Sequence, residues 1–135
     1  MTMTPPPMAL GLFTCDQVIV DLDSRCPSPI NMFTAISVDG FPSEPRDFSV
    51  FAVLSGGHGQ GTMQVEVIRL DTGDLVYSEE SGIQFVDRRR IVNAHIRIKK
   101  ACFPVPGTYG VDLLVDGVPV AQRKLNVYSI GRNDI

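Results

Sequence analysis

Apolar residues along this chain recur at every second position, and turn-forming residues interrupt them about every ten positions. That is the pattern of short strands packed with one face inward. The clearest case is residues 91–100. Val92, Ala94, Ile96 and Ile98 fall on one side of an extended chain, and Asn93, His95, Arg97 and Lys99 on the other. Residues 62–70 repeat it, with Met63, Val65 and Val67 alternating against Thr62, Gln64 and Glu66. In residues 109–115 the inward set is Tyr109, Val111, Leu113 and Val115, and Asp116-Gly117 then predicts a type I′ hairpin into a last strand over 118–127.

Elsewhere the pattern changes. Residues 48–54 read FSVFAVL, apolar on both faces, which predicts a central strand covered on both sides. A first strand is expected over 8–22, with Val18, Val20 and Leu22 on one face. Residues 24–31, with Pro27 and Pro29, read as a loop, and 32–38 as a second strand ended by Asp39-Gly40. Pro42 and Pro45 mark a crossing loop, 71–74 a short turn, and 75–78 a strand that hairpins back. Only 82–90 leaves room for a short helix or an irregular loop. The expected fold is an all-β, antiparallel, two-sheet sandwich of about eight strands. It is divided into a Pro-rich extended leader (1–7), the sandwich domain (8–128) and a tail (129–135).

Size and composition add limits. The chain has 135 residues, 44% hydrophobic and 20% charged, which suits one domain with its own core. A formal charge of −3 gives no general attraction to nucleic acid or anionic membrane. Aromatics are sparse at 7% and Trp is absent, which disfavours a base-stacking or sugar-stacking groove. No run approaches the roughly 18 apolar residues of a membrane span. Cytoplasmic residence is the default expectation. Cys15, Cys26 and Cys102 are an odd number at wide spacing with no CxxC pair, so buried or incidental thiols are expected rather than a disulfide framework.

The closing third has a distinctive order: Phe103-Pro104-Val105-Pro106-Gly107-Thr108-Tyr109, then Asp116-Gly117, then Val120 to Leu125. With Cys15-Asp16 and Phe41-Pro42 at compatible places, it resembles a family of short, uncharacterised bacterial and phage-associated β-sandwich proteins. The resemblance implies an immunoglobulin-like sandwich. It carries over no catalytic residue.

Candidate chemistry is thin. Residues 55–62, SGGHGQGT, look like a phosphate cradle, but no lysine follows and the next segment reads as a strand, not the helix a Walker loop needs. His58 and His95 match no zinc spacing. Asp21 with Asp23, and Asp71 with Asp74, give two carboxylates per loop, where calcium takes six or more oxygens. Ser55 and Cys102 lack a nucleophile elbow and a partner histidine. Cys102, beside Phe103, is expected to be buried. No cofactor and no metal are expected, and the chain is read as non-enzymatic.

Charge asymmetry is the feature that remains. Arg88, Arg89, Arg90, Arg97, Lys99 and Lys100 are half of the 12 basic residues, gathered in 13 positions of an acidic chain. With His95 they form a candidate contact surface for an acidic protein, and less readily for nucleic acid, because aromatic interleaving is missing. The expected role is an interaction or assembly module whose partner is another protein or a copy of itself through a strand edge. A calcium- or ligand-binding sandwich is the alternative.

Overall fold

The computed structural model describes residues 5–130, which are all β, with nine strands and no helix. They are β1 (Met8–Val20), β2 (Pro27–Phe33), β3 (Ala35–Val38), β4 (Arg46–Ser55), β5 (Gly59–Arg69), β6 (Leu75–Phe85), β7 (Val92–Ala101), β8 (Gly107–Val115) and β9 (Val118–Ser129). Four form one sheet in the order β2-β1-β4-β7, and five form the other in the order β3-β9-β8-β5-β6. All pairings are antiparallel except β3 with β9.

One hydrophobic core joins the sheets. Leu12, Phe48, Val50, Ala52, Leu54, Ile96 and Ile98 come from the first, and Ile36, Val65, Val67, Phe85, Tyr109, Val111, Leu113 and Leu125 from the second. The alternation on β5, β7 and β8 places these residues inward as the sequence predicts. Asp116 and Gly117 both take positive φ, 51° and 81°, as a type I′ turn requires. β4 is buried on both faces, also as expected. The cover on its outer side is not another layer: Ser49 lies between Cys15 and Arg97, and Phe51 between Phe13 and His95, on the adjacent strands.

Several expectations are corrected. The described residues form nine strands, where about eight are expected. Residues 27–31 are not loop: β2 starts at Pro27. Pro27 and Pro29 are two apart, so their missing N–H groups fall on one side, and as an edge strand β2 can turn that side away from β1. The expected strand over 32–38 is broken at Thr34. Phe33 ends β2 in the first sheet, while Ile36 is buried in β3 of the second, so the chain crosses between sheets there. β6 runs to Phe85, well past 78, and removes the helix allowed over 82–90. Buried Ile83 and Phe85 flank exposed Gln84, a period-two signal masked by the polar run before it. Of the expected termini, 1–4 and 131–135 lie outside the described residues. Pro7 is buried, and Ser129 belongs to β9, not to a tail.

Candidate interaction surface

β7 carries His95, Arg97 and Lys99 at alternate positions, so they share the outward, exposed face. Lys100 leaves that series. Its φ is 59°, its N–H donates to the Asp47 carboxylate at 2.8 Å, and the β4–β7 register shifts between Arg46 and Phe48. Arg88, Arg89 and Arg90 sit on the exposed turn before β7. There the Asp87 carboxylate accepts the Arg89 N–H at 2.8 Å and lies 3.8 Å from Arg90. Ten residues of extended chain separate Arg90 from Lys100, roughly 30 Å at strand rise. The expected basic surface is therefore a turn at one end, a short stripe, and a bulge at the other end, not one patch.

Much of the stripe is engaged within the chain. The Arg97 guanidinium crosses β4 and donates to Ser49 Oγ at 3.0 Å and to the Asp16 carbonyl on β1. Glu79, Glu80 and Ser81 of β6 line the same shallow cleft as His95, Arg97 and Lys99. Tyr77 on β6 accepts the Lys99 N–H at 3.1 Å and donates to the Glu79 carboxylate at 3.0 Å. The basic strand thus faces an acidic strand of its own chain. Arg97→Ala removes two charge-assisted hydrogen bonds, one tying β7 to β4 at Ser49 and one reaching β1 at Asp16. It is expected to lower unfolding free energy by about 1–2 kcal/mol, since part of the site is wet, as read by urea denaturation.

The remaining chemical candidates are dispersed. His58 is exposed on the β4–β5 loop, whereas His95 is on the sheet face opposite Phe51. That loop leads into strand β5, as the sequence predicts. Gly57 lies against Phe85, whose ring stands 2.7 Å from where a Cβ would be. The Asp21 carboxylate accepts the N–H groups of Ser24 and Asp23, and these bonds hold it below the ordinary carboxylate pKa. Asp71 is likewise lowered by its two-point contact with Arg69. Both carboxylates serve their own turns. Among the described residues no three His, Cys, Asp or Glu side chains come together as a metal site.

All three cysteines are free thiols, and Cys102 is exposed rather than buried. The inward residue at that strand end is Phe103, whose N–H donates to Ser43 Oγ at 2.8 Å while its carbonyl accepts the Ser43 N–H at 2.9 Å. Burial pushes the Cys15 thiol up in pKa. In the native protein a maleimide is expected to label Cys26 and Cys102 rapidly and Cys15 only on unfolding. Intact mass spectrometry would show two adducts per chain; three fast adducts would contradict the burial of Cys15.

The surface that sequence reasoning missed lies on β1 and β2. Among the described residues twelve large hydrophobic side chains are exposed, and six of them are Met8, Leu10, Ile19, Val20, Leu22 and Met32. Leu22, at 84% exposure, and Val20 were expected to share an apolar face. The signal was available in residues 18–20, which are apolar at both parities without the flanking cover of a central strand. β2 pairs only with 14–20, so among the described residues 8–13 has no hydrogen-bonded strand on the side away from β4. Arg123 of β9 reaches this flank, its guanidinium 5.8 Å from the centre of the Phe13 ring.

A family model of unknown function, DUF6941, matches residues 10–128. The chain belongs to that family. The match spans the Cys15-Asp16, Phe41-Pro42 and 103–125 segments that carry the resemblance. No curated protein matches the DUF6941 chain. Among solved structures it is similar to a β-glucosidase from Listeria innocua in complex with isofagomine, at 12% identity and a TM-score of 0.43. That alignment covers 90% of this chain and only 16% of the glucosidase. It is also similar to the CARDB domain of a Pyrococcus furiosus protein in complex with di-metal ions, at 14% identity and a TM-score of 0.39, covering 94% and 92%. An immunoglobulin-like protein from Pseudomonas aeruginosa matches at 15% identity and a TM-score of 0.36, covering 93% and 94%. No helix is long and apolar enough to cross a membrane among the described residues.

Proposed function

We propose that this DUF6941 chain is a non-catalytic, immunoglobulin-like sandwich that works as a protein-interaction or assembly module. The observation that carries the reading is the exposed apolar surface on β1, β2 and the loop between them. Solvent-exposed apolar side chains scattered singly are ordinary, and the reading takes the gathering of six of them on two paired strands and their loop as a contact surface. The basic residues on β7 are the weaker candidate, because Arg97 is bonded to β1 and β4 and the stripe faces Glu79 and Glu80 of the same chain. The ion pairs, turn bonds and buried thiol described above give the polar groups structural roles.

The test is affinity capture with the tagged chain, using an extract of its native cells supplemented with untagged copies of the chain. The double variant Leu22→Ser, Met32→Ser is the comparison. Captured protein, foreign or self, is expected on the wild type and depleted on the variant. An identical captured set on both chains would overturn the assignment to this flank.

A further inference from the structure

The crossing of the chain between sheets at Thr34 leaves a cleft. β2 ends at Phe33, opposite Thr14 of β1. β3 begins at Ala35 beside Asn126 of β9, whose N–H donates to the Thr34 carbonyl at 3.0 Å. β9 also packs against β1. Between these elements lies an open cavity of about 470 Å³, lined by Phe13, Thr14, Met32, Phe33, Arg123 and the crossing itself. Small-molecule sites run from roughly 300 to 1,000 Å³. Local sequence shapes the walls. β1 bulges between Ala9 and Gly11, and the Phe13 ring lies back over Gly11, 2.7 Å from where a Cβ would stand, so a side chain at position 11 would displace it. Thr14 is buried and its hydroxyl donates to the Phe33 carbonyl.

Arg123 is the one charged side chain in this lining. It shares the alternation of buried Leu125 and Val127, so it leaves β9 toward the first sheet and at the sheet edge reaches the Phe13 ring, 5.8 Å from its centre. Arg46 stands over the Phe33 ring in the same way, but the Asp16 carboxylate lies 3.6 Å from it, and Arg69 holds Asp71 at 3.0 Å. Among the described residues no carboxylate comes within ion-pair distance of Arg123. A guanidinium held against a ring and lacking a counter-ion is a ready partner for a carboxylate. We propose that this cleft binds a small carboxylate with an apolar body, its charge on Arg123 and its body against Phe13, Met32 and Phe33. A chain of net charge −3 offers anions no general attraction, so capture depends on Arg123. A bare inorganic anion would leave the apolar walls wet, and an uncharged hydrocarbon would leave the guanidinium unpaired. An amphipathic acid meets both. The inference goes beyond the module reading, because a small ligand in the cleft needs no protein on the flank.

Octanoate, octanol and octylamine share a chain length and differ in charge, so they serve as probes of the full chain, followed by methyl and amide NMR. Octanoate is expected to shift the Met32 methyl and the Thr34, Ala35 and Arg123 amides saturably, and octanol and octylamine to bind more weakly. Arg123 is exposed, so Arg123→Gln should keep the melting temperature near wild type. It should weaken octanoate about tenfold and leave octanol unchanged. Octanoate that binds Arg123→Gln as it binds the wild type overturns the proposal. So does octanol or octylamine binding as tightly as octanoate, or the absence of any saturable shift. Shifts confined to Ile19, Val20 and Leu22 overturn it as well, since they mean adsorption to the apolar flank. Leu22→Ser should bind octanoate as the wild type does, so the fate of the cleft is read apart from protein capture.

Discussion

Phe48→Ala is expected to cost about 3–5 kcal/mol of unfolding free energy, a large part of the roughly 5–15 kcal/mol that holds a domain of this size together. Phe48 is fully buried on the inner face of β4, the strand that joins β1 to β7. Its ring meets Phe33 edge-on, with centroids 5.8 Å apart. Phe33 is the last residue of β2 before the chain crosses at Thr34, and the Arg46 guanidinium stands 5.5 Å from its ring centre. Truncating Phe48 therefore leaves a cavity beside the crossing and unseats the ring that anchors it. The melting temperature should fall by roughly 10–20 °C. Phe48→Leu, which keeps most of the volume, should cost much less. A loss below about 1 kcal/mol for the alanine variant would mean that the crossing collapses into the space and that this part of the core is not closely packed.

What could be read in advance followed from side-chain period. Val92 to Ile98 and Met63 to Val67 alternate strictly, so burial of one face left a single solution for each strand. Asp116-Gly117 could be read because few residue pairs tolerate positive φ at both central positions of a turn. The errors have a common cause: features that depend on which strand is at an edge. Prolines argue against a strand unless the strand is an edge, and edge status is a property of the assembled sheet. β2 was hidden for that reason. Ser78 to Gly82 in β6 are exposed and carry no alternation, so that edge strand was cut short. The crossing at Thr34 was invisible because Phe33 and Ile36 are both apolar, and nothing local says that they belong to different sheets.

The same limit governs the surface. Six basic residues in 13 positions draw attention as a run. Yet the Lys100 bulge, the grip of Arg97 on β1 and the acids of β6 are all set by contacts distant in sequence. The apolar flank is the converse case. Residues 8–13 read as an ordinary strand, and only the length of β2 shows that this part of β1 has no hydrogen-bonded strand on the side away from β4. An unpaired edge is the absence of a contact, which no periodicity encodes. The candidate surface is therefore not the charged run, where the sequence is conspicuous, but exposed apolar residues on β1 and β2, where it is plain.

Tyr109 supports a second large prediction, one with a signature in pH. The phenol oxygen donates to the Val105 carbonyl at 2.6 Å and accepts the Val105 N–H at 3.4 Å, closing the turn through Pro104, Pro106 and Gly107. Its ring meets Phe103 edge-on at 5.0 Å, and Phe103 in turn exchanges hydrogen bonds with Ser43, so one side chain holds two loops at this end of the sheets. Tyr109→Phe keeps the ring and strands the Val105 carbonyl, at a cost of about 1–3 kcal/mol. Tyr109→Ala also opens the core and is expected to cost about 3–5 kcal/mol or more. Burial pushes the Tyr109 phenol above its ordinary value of 10.0. Above about pH 10 the unfolded chain loses this proton first, so the native state binds more protons and stability declines as pH rises further. Below that pH the contribution is complete. Burial raises Tyr77 in the same direction, so Tyr109→Phe should show a shallower alkaline decline, not a flat one. Urea midpoints from pH 8 to 11 for the two chains would measure the difference. Parallel curves would show that the phenol titrates alike in the folded and unfolded chain, and coincident curves that the turn is held by the ring alone.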